Sequence, residues 1–409
     1  MESLFSRRVL DARRSVIREL LKLTEKPDII SFAGGIPDPD TFPREILAEI
    51  SADEIQNNYR KSLQYTTTEG KRPLRQAIID FLAEDAIHYE MDELIITSAS
   101  QQGLDLVAKT FLDPGDVVLC SLPTYLGAAM AFRAFQARLV GVPLMDDGMD
   151  MDALERSVQG VRRSGGRPKL IYVVPDFQNP AGVCWSEEKR RRLLQIASRE
   201  GLLVVEDMPY RSLRFSGEPK PAVTSLDTED RVIVLFTFSK LLSAGLRLGA
   251  MAAKPEIVDK FVVMKQATDL CTPSLTQRLA ARFMQEHSLS EHIQRICPRY
   301  REKRDAMLNA LARHMPSEEE ISWTEPEGGL FVWLRLPKCV DARKMVDRAV
   351  EHKVAYVPGE PFFVDGAGQN TLRLSFSLVT PEQIEEGISR LAKVVSEELA
   401  SLRSPQQSR

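Results

Sequence analysis

Short apolar runs that alternate with longer helical patterns are the feature of this 409-residue chain that most restricts its fold. The runs are apolar throughout rather than at alternate positions, as expected of strands that are covered on both faces. Helical patterns such as SEEKRRRLLQIASRE (186–200), which opens with a serine cap and two acids, lie between them. This alternation predicts an α/β fold with a mostly parallel sheet. The seven predicted strands are LIIT (94–97), VVLC (117–120), RLVGV (138–142), KLIYVV (169–174), LLVVE (202–206), VIVLF (232–236) and GAMAA (249–253).

A second, smaller group of strand and helix patterns follows a helical stretch that extends from about residue 255 to about 315. A chain of 409 residues is too long for one small core, so two units are expected. The predicted elements of the second group are the strands LFVWLRL (330–336), VAYV (354–357) and TLRLSF (371–376) and a closing helix from Thr380 to Leu402.

Composition and charge exclude several classes of function. The formal net charge of −4 gives no attraction to nucleic acid or to an anionic membrane, and no apolar run is long enough to span a bilayer. The five cysteines are scattered and the five histidines lack ligand spacing, so we predict a cytoplasmic protein without a metal site. The arginine-rich N-terminus contains Glu2, Asp11 and Glu19, which favours an amphipathic helical arm over a targeting peptide.

Polar residues directly after the predicted strands indicate a ligand site, because ligands bind beyond the carboxyl ends of strands in open parallel sheets. Ser100 and Gln101 start the helix after LIIT, and the free N–H groups of a helix start favour an anion. A serine there is also a common helix cap, so this signal is weak by itself. The later strands are followed by Tyr125, by Asn179, by Asp207 with Tyr210, and by Lys240.

Each of these residues also has an ordinary structural explanation, since Asn and Asp form turns before proline and a tyrosine packs in a core. Together they supply an anion cradle, an aromatic ring, an amide, a carboxylate with a phenol, and a lysine. Pyridoxal phosphate uses this set for its phosphate, ring face, phenolic oxygen, ring nitrogen and aldehyde. No dinucleotide fingerprint is present, and Gly70-Lys71 lacks the other residues of a phosphate-binding P-loop.

Motifs in a fixed order extend over nearly the whole chain: SFAGGIPDPDTFP, QYTTTEGKRPLRQAI, TSASQQGLDL, PTY, QNPAG, VVEDMPY, TFSK, GLRLG, EGGLFVW, VPGEPFF and RLSFS. In these motifs the chain resembles the fold type I pyridoxal-phosphate aminotransferases of class I/II, and most closely their 2-aminoadipate and kynurenine branch. The resemblance implies an aspartate-aminotransferase-like fold, with a three-layer large domain on a seven-stranded, mostly parallel sheet and a smaller α/β domain. We therefore expect an arm with part of the small domain (1–44), a large cofactor-binding domain (45–290) and a C-terminal small domain (291–409).

The resemblance also implies roles around the cofactor ring. Lys240 would bind the aldehyde covalently and, once displaced by a substrate amine, transfer protons as a neutral amine. Asp207 would pair with the ring nitrogen, and Tyr125 would stack on the ring. Asn179 and Tyr210 would donate to the phenolic oxygen.

At the other end of the cofactor, the resemblance assigns the phosphate to Ser100, Gln101, Ser239 and Arg247. Tyr65 would reach this phosphate from a second subunit, which implies a homodimer. The sequence departs from the family pattern at Ala99, where glycine is common, and at Thr237 and Met208, without loss of a required group. The residues expected to contact the substrate are Arg373, as a bidentate clamp on its carboxylate, together with Asn179, Gly35, Arg18 of the arm and Phe362.

The predicted function is transfer of an amino group between an L-amino acid and a 2-oxo acid by a ping-pong mechanism, with 2-oxoglutarate as a candidate acceptor. A lyase, cyclase or oxidase on the same scaffold would use the same cofactor residues. A sensor domain of an aminotransferase-like regulator is disfavoured, because the arm before Ile30 is too short for a winged helix and the charge is not basic. The sequence leaves acidic, aromatic and aliphatic donors open.

Overall fold

The computed structural model describes residues 4–10, 28–318 and 320–403. Strands are numbered here in chain order, and helices are named by their residues. The strands are β1 (Ile30–Ser31), β2 (Leu94–Thr97), β3 (Val117–Leu122), β4 (Arg138–Met145), β5 (Gly148–Met149), β6 (Pro168–Val173), β7 (Leu203–Asp207), β8 (Val232–Thr237), β9 (Gly249–Ala252), β10 (Ser322–Trp323), β11 (Phe331–Arg335), β12 (Val354–Ala355), β13 (Val357–Pro358) and β14 (Thr371–Ser375).

The large sheet has the strand order β2-β9-β8-β7-β6-β3-β4-β5. Strands β4, β3, β6, β7 and β8 are parallel neighbours, whereas β9 is antiparallel to both β2 and β8. All seven predicted strands are present, and β5 adds a two-residue antiparallel pairing with β4 that the sequence pattern did not predict. Every residue of β2, β8 and β9 is buried, because helices cover both faces. The predicted α/β class with a mostly parallel sheet is therefore confirmed.

Helices connect these strands and also separate the large sheet from the second group of strands. Ser186 caps the helix Glu187–Glu200 by accepting a hydrogen bond from the backbone N of Lys189, as its sequence predicted. The α-helices are Arg7–Leu10, Arg44–Gln56, Tyr59–Ser62, Arg72–Ala83, Ala99–Phe111, Leu126–Ala134, Met151–Arg163, Glu187–Glu200, Val223–Leu226, Pro255–Gln266, Ser274–Glu286, Leu289–His314, Val346–Glu351 and Pro381–Arg403, and the 3-10 helices are Pro39–Thr41, Met91–Glu93 and Glu360–Phe362.

The second group forms an antiparallel sheet of order β10-β11-β14-β13, and the helix Leu289–His314 packs on Pro381–Arg403 beside it. The prediction of one strand at 354–357 was wrong, because this segment is divided between two sheets: β12 pairs with β1, and β13 pairs with β14. Tyr356 separates the two strands, and its hydroxyl donates to the carbonyl of Ala342 in the interior. The pairing of β1 with β12 joins the N-terminal segment to the C-terminal part of the chain. The exact domain boundaries stay a prediction.

Among the residues that the structure describes, no helix is both long enough and apolar enough to cross a membrane.

Candidate active site

The carboxyl edge of the large sheet brings together side chains that are far apart in the sequence. Asp207 is the last residue of β7, Lys240 follows β8, and Asn179 follows β6. Arg373 reaches the same place from β14, because its guanidinium donates from Nη1 to Oδ1 of Asn179 at 2.9 Å. The parallel strands thus supply one side of the site and the second sheet supplies the other.

Lys240 lies between a backbone carbonyl and two cations. Its Nζ donates to the carbonyl oxygen of Gly35 at 2.9 Å. Burial, together with the positive charges of Arg373 and Arg247, lowers the pKa of Lys240 from its usual 10.5 to about 8. A neutral amine is therefore accessible near physiological pH, and a neutral amine can act as a nucleophile and as a base.

Asp207 is a buried carboxylate with one satisfied oxygen. It is 2% exposed, and its Oδ2 accepts a hydrogen bond from the hydroxyl of Tyr172 at 3.0 Å. Its Oδ1 is buried without a hydrogen-bond partner among the described residues. Burial raises the pKa of Asp207 to about 7, although the hydroxyls of Tyr172 and Ser100 act in the opposite direction. A cationic N–H donor at Oδ1 would satisfy this oxygen and keep the carboxylate ionised, which fits a protonated pyridine nitrogen.

Arg373 is a buried cation that no carboxylate neutralises among the contacts of the described residues. Its Nη2 donates to the carbonyl of Ala33 at 2.7 Å, and its Nε is buried without a hydrogen-bond partner. The guanidinium lies over the rings of Phe331 and Phe362, 4.4 and 5.2 Å from their centroids. Burial lowers the pKa of Arg373 to about 10. An anionic ligand such as a carboxylate would compensate this desolvated charge.

Two aromatic contacts hold the polar groups of the site in place. The hydroxyl of Tyr210 accepts from Nδ2 of Asn179 at 3.5 Å, and its ring meets Phe331 edge-on at 5.7 Å between centroids. Phe331 also packs against the backbone at Gly35, where a Cβ would come within 2.7 Å of the ring. A side chain at position 35 would therefore require the Phe331 ring to shift. The role of Gly35 toward the substrate stays a prediction.

The predicted anion site lies at the start of the helix Ala99–Phe111. The hydroxyl of Ser100 is buried and makes no complete hydrogen bond among the described residues, although it lies near enough to Asp207 to lower the pKa of that carboxyl. Arg247 donates from Nη1 to Oγ of Ser239 at 3.4 Å, and Ser239 in turn contacts the Thr237 hydroxyl at 2.9 Å. These groups fit the phosphate of the cofactor, since hydroxyls, a guanidinium and a helix N-terminus all favour an anion.

Gln101 and Tyr125 form a second contact beside this anion site. The hydroxyl of Tyr125 donates to Oε1 of Gln101 at 3.5 Å, and Gln101 donates from Nε2 to the carbonyl of Gly127 at 3.1 Å. Tyr125 precedes the helix Leu126–Ala134 directly, so its position follows from the start of that helix. The structure therefore brings the predicted ring-stacking residue next to a predicted phosphate residue.

Three predicted residues have other surroundings. Tyr65 is 78% exposed, in contrast to the buried residues of the site. Phe362 is fully buried, with its ring toward Arg373. Arg18 lies outside the residues that the structure describes.

Sequence reasoning missed Tyr172 and Phe331 as site residues. Tyr172 pairs with Val205 in the register of β6 and β7, and Asp207 lies two positions further along β7. Residues two apart in a strand share a face, so strand parity brings Tyr172 and Asp207 to the same side of the sheet. A predicted strand order would have been needed to use this signal.

Comparison with known proteins gives one consistent family. The family model "Aminotransferase class I and II" matches residues 27–391. Aromatic-amino-acid aminotransferase 1 of Thermococcus litoralis is 45% identical over 97% of this chain and 95% of its own length. The 2-aminoadipate transaminase of Thermus thermophilus is 44% identical over 94% of this chain and 95% of its own length.

A solved structure agrees with these relatives. The crystal structure of Pyrococcus horikoshii kynurenine aminotransferase, in complex with PMP, is 46% identical and has a TM-score of 0.93. The match covers 97% of this chain and 98% of the other. With the family model over most of the chain, this likeness confirms the fold, the cofactor and the reaction class that the sequence predicted. The chain belongs to the class I and II aminotransferase family, and it is a fold type I, pyridoxal-phosphate-dependent transaminase.

Proposed function

We propose that this transaminase takes its amino group from L-amino acids with large side chains, aromatic or 2-aminoadipate-like, and passes it to a 2-oxo acid such as 2-oxoglutarate. The named activities of the relatives at 45% and 44% identity support these donors. The observation that carries the proposed site is Lys240, whose amine is held by Gly35 and has its pKa lowered beside two arginines. The reaction proceeds in two halves, and each half regenerates the other form of the cofactor.

The chain's residues divide the work around the bound cofactor. Pyridoxal phosphate, when bound, supplies an aldehyde for the amino group and a protonated ring that stabilises negative charge on the substrate α-carbon. Asp207 would hold the ring-nitrogen proton through its Oδ1, which has no hydrogen-bond partner among the described residues. Asn179 and Tyr210 would hydrogen-bond the phenolic oxygen, and Tyr125 would cover the ring face. Nζ of Lys240, as a free amine, would take the proton from the substrate α-carbon and deliver it to the cofactor carbon that had carried the aldehyde.

Arg373 fixes the orientation of the substrate. Two of its nitrogens are engaged by Asn179 and Ala33, and its Nε is left to the substrate carboxylate. Phe331 and Phe362 hold the guanidinium plane, so a bound amino acid would be held in one orientation. Ser100, Gln101, Ser239 and Arg247 would hold the phosphate at the opposite end. We also assign a substrate side-chain contact to Arg18.

We further propose that the chain acts as a cytoplasmic homodimer in which Tyr65 completes the phosphate site of the partner subunit. Tyr65 is 78% exposed, and Leu63 and Tyr59 beside it are 63% and 48% exposed. Three exposed large apolar side chains within seven residues are a feature of surfaces that another protein covers.

The variant Lys240→Ala tests the site. It is expected to lose the visible absorbance of covalently bound cofactor and to lose turnover by at least about 10²–10⁴-fold, since it lacks both nucleophile and proton carrier. Lys260→Ala, which changes a lysine that is 66% exposed, is the control and is expected to match the parent protein. An unchanged spectrum in Lys240→Ala would refute the assignment of this lysine.

A donor panel tests the reaction and its substrates. Aromatic and 2-aminoadipate donors are expected to convert the bound cofactor to its aminated form, and 2-oxoglutarate is expected to reverse the change in absorbance. A cofactor that responds to no donor in this cycle would favour a lyase, cyclase or oxidase on the same scaffold. Conversion by short aliphatic donors alone would overturn the proposed substrate class.

A further inference from the structure

The turn that starts the helix Ala99–Phe111 has an unfavourable backbone conformation. Ala99 has φ of +63°, a left-handed value that residues with a Cβ rarely adopt. The Ser98 side chain makes no capping hydrogen bond, so the usual stabilisation of a helix start is missing. Gly249 packs directly beneath, where a Cβ would come within 2.9 Å of Cα of Ala99. Other groups must therefore hold this turn in shape.

Gln102 supplies the missing contact from within the same helix. Its Oε1 accepts a hydrogen bond from the backbone N of Ser98 at 2.8 Å, which closes the turn over Ala99. The same oxygen accepts from Nζ of Lys265 at 2.9 Å, and Nε2 of Gln102 donates to Oδ2 of Asp269 at 2.6 Å. All polar atoms of the Gln102 side chain are thus engaged, and its orientation is determined.

Lys265 and Asp269 anchor this amide from the neighbouring helix and the turn after it. The Lys265 side chain is 0% exposed, and its ammonium donates to both oxygens of Asp269, at 2.8 and 2.9 Å. The two opposite charges neutralise each other at close range. Because a neutral pair exerts little net electric field, Lys265 and Asp269 act on a nearby anion mainly by fixing the orientation of Gln102.

We propose that Gln102, Lys265 and Asp269 form a positioning network that keeps the 98–101 turn in the shape that binds the cofactor phosphate. This inference rests on the proposed function, which assigns the phosphate to Ser100 and Gln101. The network touches neither the ring nor the substrate. Loss of this network weakens binding of the cofactor phosphate and leaves the contacts to the cofactor ring unchanged.

Equilibrium binding of two probes to the cofactor-free protein, followed by visible absorbance, tests the network. Gln102→Leu is expected to bind pyridoxal phosphate about 10-fold more weakly, as loss of a buried hydrogen-bonding amide predicts. Pyridoxal, which lacks the phosphate, is expected to bind as in the parent protein. Lys109→Met is the matched control, because Lys109 links the same helix to Thr268 without contacting the turn. This control is expected to bind both probes normally.

The double variant Ala99→Gly/Gln102→Leu separates positioning from general stability. Glycine adopts positive φ without penalty, so it is expected to recover most of the lost affinity for pyridoxal phosphate. Equal weakening of both probes, or no recovery in the double variant, would show a structural role only and overturn the proposal. Unchanged phosphate-dependent affinity in Gln102→Leu would do the same. If the parent protein binds neither probe through Lys240, the proposed function itself fails.

Discussion

Two buried aspartates near the ends of neighbouring strands, Asp207 and Asp176, have the same exposure of 2% and opposite electrostatics. Asp176 accepts from Arg190 at 2.7 Å and from Arg211 at 2.9 Å. These two cations hold its pKa below the usual value in spite of burial. Asp207 has the hydroxyls of Tyr172 and Ser100 near it and no cation in contact among the described residues, and burial raises its pKa to about 7. Burial alone therefore does not mark a functional carboxylate. Asp207 differs in having a buried oxygen without a hydrogen bond and no cation in contact among the described residues.

Two lysines differ in their partners in the same way, although burial lowers the pKa of both. Lys265 pairs with Asp269 four residues away on the chain. Lys240 lies near Arg373 and Arg247, and among the described residues its acceptor is the Gly35 carbonyl. The charges of Asp176 and Lys265 are balanced by partners within the fold. Arg373, Asp207 and Lys240 leave a cation, an anion and an amine that a bound cofactor and substrate would balance.

The largest expected effect concerns the paired aspartate. Asp176→Asn removes the negative charge between Arg190 and Arg211, and it is expected to lower the free energy of unfolding by about 3–5 kcal/mol, because a buried cation is left unpaired. Urea unfolding of the cofactor-free protein measures this loss. The absorbance of bound cofactor is expected to stay normal, and a change in it would end the distinction between the two aspartates.

The pH dependence of stability separates the two carboxylates with opposite signs. The folded protein binds the Asp207 proton more tightly than the unfolded chain does, so this group's stabilisation is present at low pH and is lost as pH rises from about 4 to about 7, by up to about 4 kcal/mol. Asp176, with its lowered pKa, stabilises above its unfolded pKa and loses this only as pH falls below it. Urea unfolding of the cofactor-free parent and of Asp207→Asn at pH 5 and 7.5 measures the difference. Identical pH dependence in the two proteins would contradict the raised pKa.

Asp207→Asn is expected to have the next largest effect, and it acts on catalysis. Loss of the charge that holds the ring-nitrogen proton is expected to lower kcat on the order of 10²–10³-fold at saturating cofactor. The cofactor-free variant is expected to be no less stable than the parent near pH 7.5, since it no longer buries a poorly satisfied carboxylate. Full activity in this variant would show that Asp207 is another structural aspartate.

Tyr172→Phe is expected to have the smallest effect. It removes the hydroxyl that orients Asp207, and kcat is expected to fall about 10-fold, as loss of one hydrogen bond to a charged group predicts. Tyr356→Phe is the control, since its buried hydroxyl donates to the Ala342 carbonyl in another part of the molecule. This control is expected to lose some stability and no activity. Equal kcat values for the two variants would remove the positioning role of Tyr172.

Much of the fold was predictable because its strands are buried on both faces and therefore apolar throughout. The runs at 94–97 and 232–236 coincide with β2 and β8 to within one residue. The segment 354–357 was mispredicted because its apolar pattern does not show that β12 and β13 pair with different sheets. The short strand β5 was missed because two residues carry no periodic signal.

The sequence alone determined which cofactor the chain uses, since the residues after successive parallel strands must meet at one edge of the sheet. Lys240 and Asp207 were found in this way. Only the tertiary structure decided their pKa values. Burial without a cation in contact raises the pKa of Asp207. Burial, together with Arg373, which lies 133 positions further along the chain, lowers the pKa of Lys240. Tyr172, Phe331 and the Gln102 network were likewise visible only in three dimensions. Strand order and helix packing set these contacts, and both arise from pairings between distant segments that local sequence patterns do not encode.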